Sequence, residues 1–291
     1  MKIRTFSILA GSLACNARCP FCIAGMTPKN GVGVKEPEVN WRRFETACRL
    51  AREAGCLTAM ITGKGEPTLF PNQVTTFLEK MQPFGFPIIE IQTNGSVIAD
   101  GKHIDDETLA RWRDLGLLTV AISVVHYDPE KNRKIYFPRR KSYFDLPALI
   151  EKLHKHDFTV RLTTILARGL IDSVEEMKAM IEFARQNGVE QLTFTPVTKP
   201  TQSDGVEIFG WTAANHIPDE SFAEMKQYLE ANASLLLNLP HGARVYDVAG
   251  QNACLNNCIT VDPNSEEMRS IIFYPDGHVR YAWQYSGAII F

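Results

Sequence analysis

The sequence predicts an α/β fold: a partial (β/α)6 TIM-like barrel followed by a C-terminal α+β segment. Three observations carry this. Six apolar runs rich in Val, Ile, Leu and Thr alternate with six segments of helical period, and such alternation demands a parallel sheet. Right-handed crossovers curl such a series one way round, and six strands close less tightly than eight. The residues able to do chemistry follow the strands, where parallel α/β folds place ligands.

The elements follow in order. Thr5 to Leu13 is the first strand, and residues 40–55 a helix capped by Asn40, with Trp41, Phe44, Cys48 and Ala51 on one face. Leu57 to Thr62 is a strand and Pro71 to Met81 a helix. Ile88 to Thr93 and Asp105 to Leu115 repeat the pair, as do Leu117 to Val124 and Tyr143 to His156. Thr159 to Leu166 precedes a helix at Ser173 to Gln186. That helix opens with a capping box, Ser173 to Glu176, and Gly188 stands where a C-terminal cap belongs. Gln191 to Val197 is the sixth strand. Pro, Gly, Thr and Asn then break the rhythm over residues 198–217. A helix runs from Asp219 to about Ala233, and Asp276-Gly277 in YPDGHV marks a β-hairpin. Residues 1–197 are expected to form the barrel core. Residues 198–291 are expected to cover it within the same compact unit.

Composition excludes several classes. The chain is 45% hydrophobic and 22% charged with a net charge of −2, so no global field points to nucleic acid or a membrane surface. The longest apolar run is far short of a bilayer span. The opening MKIRTFSILAGSLAC is a buried strand rather than a secretory signal, because its apolar run is short and leads into cysteines. Seven cysteines, an odd number without framework spacing, indicate a reducing, cytoplasmic setting.

The cysteines carry the chemistry. Cys15, Cys19 and Cys22 lie in CNARCPFC, after the first strand. A structural zinc site takes four protein ligands, whereas a [4Fe–4S] cluster on three thiolates keeps one iron open. GKGEP, residues 63–67, follows the second strand and TNGS, residues 93–96, the third; Ser123 and His126 end the fourth. C-x3-C-x2-C after a first strand, with a glycine–glutamate loop after the second, resembles the radical S-adenosylmethionine (SAM) enzymes over residues 5–197.

That resemblance implies a mechanism. SAM would chelate the open iron, and the reduced cluster would cleave it to methionine and a 5′-deoxyadenosyl radical that abstracts hydrogen from a substrate. Gly63, Lys64, Gly65 and Glu66 would hold the amino end of SAM. Gly65 and Glu66 match the family pattern directly, and Lys64 replaces a glycine. Phe21 matches an aromatic position beside the adenine. Ser123 and Arg161 match positions that hold ribose or carboxylate, and Asn94 is either a SAM contact or a turn residue. No catalytic side chain is assigned. An electron donor such as a flavodoxin or ferredoxin would act as partner. The substrate is a ribosomally made precursor peptide or, alternatively, a small metabolite or nucleotide. An iron–sulfur electron carrier without SAM cleavage is the competing class.

The remaining motifs are quieter. KNRKIYFPRRK, residues 131–141, is a basic stretch expected as a solvated loop, or as a site for an acidic peptide, phosphate or nucleotide. Cys254 and Cys258, even with His241 and His278, are not expected to bind a second cluster. Cys48 and Cys56 belong to the core.

Overall fold

The computed structural model describes residues 2–197, 206–239, 242–256 and 267–291. The strand–helix series comprises β1 (Lys2–Leu9), α1 (Ile23–Met26), α2 (Trp41–Glu53), β2 (Thr58–Thr62), α3 (Pro71–Met81), β3 (Ile88–Thr93), α4 (Ser96–Asp100), α5 (Asp106–Asp114), β4 (Leu117–Val124), α6 (Pro129–Tyr136), α7 (Leu146–Lys155), β5 (Thr159–Leu166), α8 (Val174–Gln186) and β6 (Gln191–Pro196). Beyond it lie α9 (Val206–Asn215), α10 (Asp219–Asn232), β7 (Ser234–Asn238), β8 (Arg244–Val248), β9 (Gln251–Leu255), β10 (Glu267–Phe273) and β11 (Val279–Arg280).

The strands form one sheet in the order β11-β10-β1-β2-β3-β4-β5-β6-β9-β8-β7. Strands β1 to β6 are mutually parallel, as the alternation requires. The C-terminal segment extends the sheet at both edges. It adds β10 parallel to β1 and β9 parallel to β6, so the parallel run exceeds six strands yet stays an open, partial barrel.

Local signals place the helices. Asn40 accepts from the Arg43 N–H at the start of α2, and Asp105 from Thr108 at the start of α5. The first strand begins at Lys2 and ends at Leu9, earlier than expected, because residues 10–14 turn away to approach the β2 loop. Two stretches read as irregular are helical. Asp128 caps α6 and Pro129 opens it, so the first part of the basic stretch is helix rather than loop. Residues 206–215 form α9, where Trp211 packs on Phe21 at 5.7 Å between ring centroids. The Tyr274–Val279 turn closes the expected hairpin between β10 and β11.

Alternation along the strands separates two faces. In β5, Val160, Leu162, Thr164 and Leu166 are buried on one face while Arg161, Thr163 and Ile165 are partly exposed on the other. The outer layer is aromatic beneath β1 and β10: Phe44 meets Phe77 at 5.0 Å and Phe273 at 5.1 Å. Cys48 and Cys56 are fully buried, as expected. Among the described residues, no helix is long and apolar enough to cross a membrane.

Candidate cluster and SAM site

The chain leaves β1 as a tethered loop. Ala10 N–H donates to Thr62 O at 2.8 Å and Gly11 N–H to Gln73 Oε1 at 2.6 Å. Cys15 is exposed, and its Sγ accepts from Ala17 N–H at 3.4 Å. Cys19 and Cys22 are partly buried and joined by a backbone bond of 3.2 Å, and Cys22 stands at the first position before α1 without a side-chain capping bond. Although Cys15 lies at the surface, the protein packed around its thiol desolvates it and pushes its pKa up to about 11. Burial also raises Cys19, with Cys22 and Cys15 adding like charge. Both shifts disfavour free thiolates, and a cationic iron–sulfur group would offset them. Among the described residues, no three Cys, His, Asp or Glu side chains converge on one ion position. Three thiols on one loop are soft donors of the kind that an iron–sulfur group would take.

The β2 loop is pressed against the cysteine loop. Glu66 N–H donates to Ala14 O at 3.0 Å. A Cβ on Gly65 would lie 2.1 Å from Ala14 O and 2.6 Å from Ser12 O, and one on Gly63 would lie 2.9 Å from Ala10 O. The glycines are therefore needed for backbone contact between the two loops. Lys64 is buried; its Nζ donates to Thr27 Oγ1 at 2.6 Å and sits 5.6 Å from the centroid of the Trp283 ring.

Glu66 is only 4% exposed. Its Oε1 accepts from Thr68 N–H at 3.1 Å, Thr68 Oγ1 at 2.6 Å and Thr93 Oγ1 at 2.7 Å. Its Oε2 accepts from Asn94 N–H at 2.9 Å. Burial raises its pKa against these bonds. The carboxylate thus clamps the ends of β2 and β3 together, and Oε2 retains lone-pair capacity for a further donor. Asn94 extends the clamp: its Nδ2 donates to Asn16 Oδ1 at 2.7 Å, and its Oδ1 accepts from Ser96 N–H at 3.0 Å and Ser96 Oγ at 2.7 Å.

The other expected residues divide. Phe21 lies in the cysteine loop, against Tyr136 and Trp211. Ser123, near the end of β4, pairs in register with Thr163. Arg161 lies well before the end of β5, where its Nη1 meets Glu90 Oε2 at 2.6 Å and its Nε donates to Gln191 Oε1 at 2.7 Å. That ion pair supplies the partner that an arginine on an apolar strand requires. The capping box is half formed, since Ser173 caps α8 but Glu176 turns to His126 Nε2 at 3.0 Å. Cys254 pairs in register with Thr193, while His278 is held by Asp276 at 2.8 Å in the far hairpin. Cys258 and His241 lie outside the described residues. Asn16, Thr27 and Trp283 join the site without having been singled out, and Tyr136 joins it from within the basic stretch. Asn16 at least stands inside the cysteine motif; Trp283 has no local signal.

Known proteins share this fold. Streptococcus suis SuiB bound to the precursor peptide SuiA shares the fold over 97% of this chain and 60% of its own, with a TM-score of 0.62 and 14% identity. A radical SAM methyltransferase from Sphaerobacter thermophilus does so over 95% and 70%, with a TM-score of 0.57 and 17% identity. A probable GTP 3′,8-cyclase of Methanothermobacter marburgensis is 30% identical over 196 residues, which is 66% of this chain but 58% of that protein. A family model, the radical SAM superfamily, matches residues 11–184, and this chain belongs to that superfamily, whose enzymes use a [4Fe–4S] cluster and SAM.

Proposed function

We propose that this chain holds a [4Fe–4S] cluster on Cys15, Cys19 and Cys22, binds SAM beside it, and abstracts hydrogen from a ribosomally made precursor peptide to modify it or rearrange its backbone. The observation that carries the site is the join between loops: Glu66 N–H on Ala14 O, with Gly65 packed against Ala14 and Ser12. When bound, the cluster and SAM supply one-electron reductive cleavage and a hydrogen-abstracting radical. The protein's own part is positional. Gly63, Gly65 and the free side of Glu66 Oε2 receive the methionine end. The Glu66–Thr93–Asn94–Asn16 network sets the distance between the loops, and Phe21 and Ser123 serve the adenosine end. Arg161 is left to its pair with Glu90.

The sheet edge favours a peptide. Strand β7 ends the sheet order, and Leu235, Leu236 and Leu237 are 50%, 57% and 53% exposed. An extended chain adds to such an edge through backbone hydrogen bonds. A nucleotide substrate is the second reading, favoured by the 30% identical probable GTP 3′,8-cyclase. The test is anaerobic reconstitution followed by chromatography for 5′-deoxyadenosine with reductant alone, with candidate peptides and with GTP. Peptide-stimulated release supports the first reading and GTP-stimulated release the second. A full four-iron cluster that yields no 5′-deoxyadenosine would leave the electron-carrier class.

A further inference from the structure

We propose that the exposed basic face formed by Lys134, Arg139, Arg140 and Lys141, with Arg18 beside it, is the docking surface for an acidic one-electron donor protein of the flavodoxin or ferredoxin class. This rests on the cluster reading above. The stretch 131–141 carries six basic residues and no acidic one in a chain of net charge −2. Two of the six are already engaged: Lys131 faces Glu176 at 3.7 Å, and Arg133 pairs with Glu130 at 3.0 Å. The other four, and Arg18, are exposed.

The patch is joined to the cysteine loop. Arg18 N–H, next to Cys19, donates to Tyr136 O at 2.8 Å, and the Phe21 and Tyr136 rings meet edge-on at 6.1 Å. Phe137 N–H and O anchor the turn to Arg133 and Arg140, and the Arg140 guanidinium lies 4.2 Å from the centroid of the Phe137 ring. Beneath the charges, Tyr136, Phe137 and Tyr143 are buried and packed in sequence, at 6.3 and 5.8 Å between centroids.

This packing decides between occupants. The three rings are buried beneath the charges, so the patch offers a partner a charged surface rather than an apolar pocket. An electron needs only a short packed path. The charges steer an acidic partner to a surface that adjoins the cysteine loop through Arg18. The donor is oxidised by one electron and the cluster reduced by one; no atom crosses the interface.

The test uses the reconstituted protein, an acidic flavodoxin as probe, and the triple variant Lys134→Glu/Arg139→Glu/Lys141→Glu, which spares Arg18 and the stacked Arg140. Circular dichroism and iron content check folding and loading. Affinity for flavodoxin is measured by calorimetry, and 5′-deoxyadenosine formation is driven either by reduced flavodoxin or by dithionite. The expected result is at least a tenfold loss of flavodoxin affinity and flavodoxin-driven rate, with the dithionite-driven rate within twofold of wild type. Wild-type affinity should fall as salt rises from about 50 to 500 mM, which shortens the screening length. Unchanged flavodoxin affinity in the variant, or affinity indifferent to salt, overturns the proposal. A parallel loss of the dithionite-driven rate also overturns it, because the basic residues would then serve SAM or substrate. If wild type cleaves no SAM even with dithionite, the functional reading fails, while the affinity comparison still judges the docking surface.

Discussion

Glu66→Gln is the most informative substitution. The wild-type carboxylate takes three donors on Oε1 and the Asn94 N–H on Oε2, and the side chain is buried. Gln can keep its carbonyl towards Thr68 and Thr93, but its amide then points a donor at the Asn94 N–H. That leaves a buried N–H unmet, at about 1–3 kcal/mol. The three remaining bonds also lose their charge assistance, which roughly halves them. Relief of the buried charge, visible in the raised pKa, offsets part of this. The net expectation is a loss of about 2 kcal/mol in the iron-free protein. Moving the Asn94 turn also disturbs the SAM pocket, and together with the lost acceptor should weaken SAM binding roughly ten- to a hundredfold. Urea unfolding of the iron-free protein reads the first effect, and SAM titration of the reconstituted protein reads the second. A Gln variant within about 0.5 kcal/mol of wild type in urea would refute the clamp, even if SAM affinity fell.

Gly65→Ala places a methyl 2.1 Å from Ala14 O, so it should cost about 1–3 kcal/mol and lower iron retention, whereas Gly33→Ala, with nothing within 4 Å, should be near neutral; equal thermal midpoints would contradict the tight loop contact. Arg161→Met leaves Glu90 buried without its cation and should destabilise by about 3 kcal/mol in denaturant, with Glu90→Gln in the same chain restoring most of it; a single variant as stable as wild type would mean that the pair is idle. Burial, then Lys131, holds His126 below its usual 6.5 despite Glu176, so its contribution is present above pH 6.5 and is lost as pH falls through the lower folded value. The thermal midpoint should therefore drop on acidification below 6.5, and His126→Gln should flatten part of that drop; an unchanged slope would assign it to other groups.

Much of the site is written locally. Strands at Ile88–Thr93, Leu117–Val124 and Thr159–Leu166 match their apolar runs residue for residue, and Asn40, Asp105 and Ser173 cap the helices that they precede. These are short-range effects of side-chain period and of capping oxygens reaching a nearby N–H, so neighbouring residues suffice to specify them. The three cysteines and the GKGE loop are legible for the same reason, because each motif is a contiguous stretch after a strand. Long-range pairing is not legible in this way. Nothing within Glu267–Phe273 marks it as the parallel neighbour of β1, or Gln251–Leu255 as that of β6, since a sheet register is settled by which distant strand completes the hydrogen bonds. Likewise, the Glu66 side chain reads locally as a turn or ligand group, but it becomes a clamp only when Thr93 and Asn94 arrive from β3. Lys64 is buried because Thr27 and Trp283, far away in the chain, fold around its ammonium group. The basic stretch after β4 becomes a face beside the cysteine loop because Arg18 donates its N–H to Tyr136 and Phe21 packs on the same ring, contacts that only the curl of the sheet can bring together.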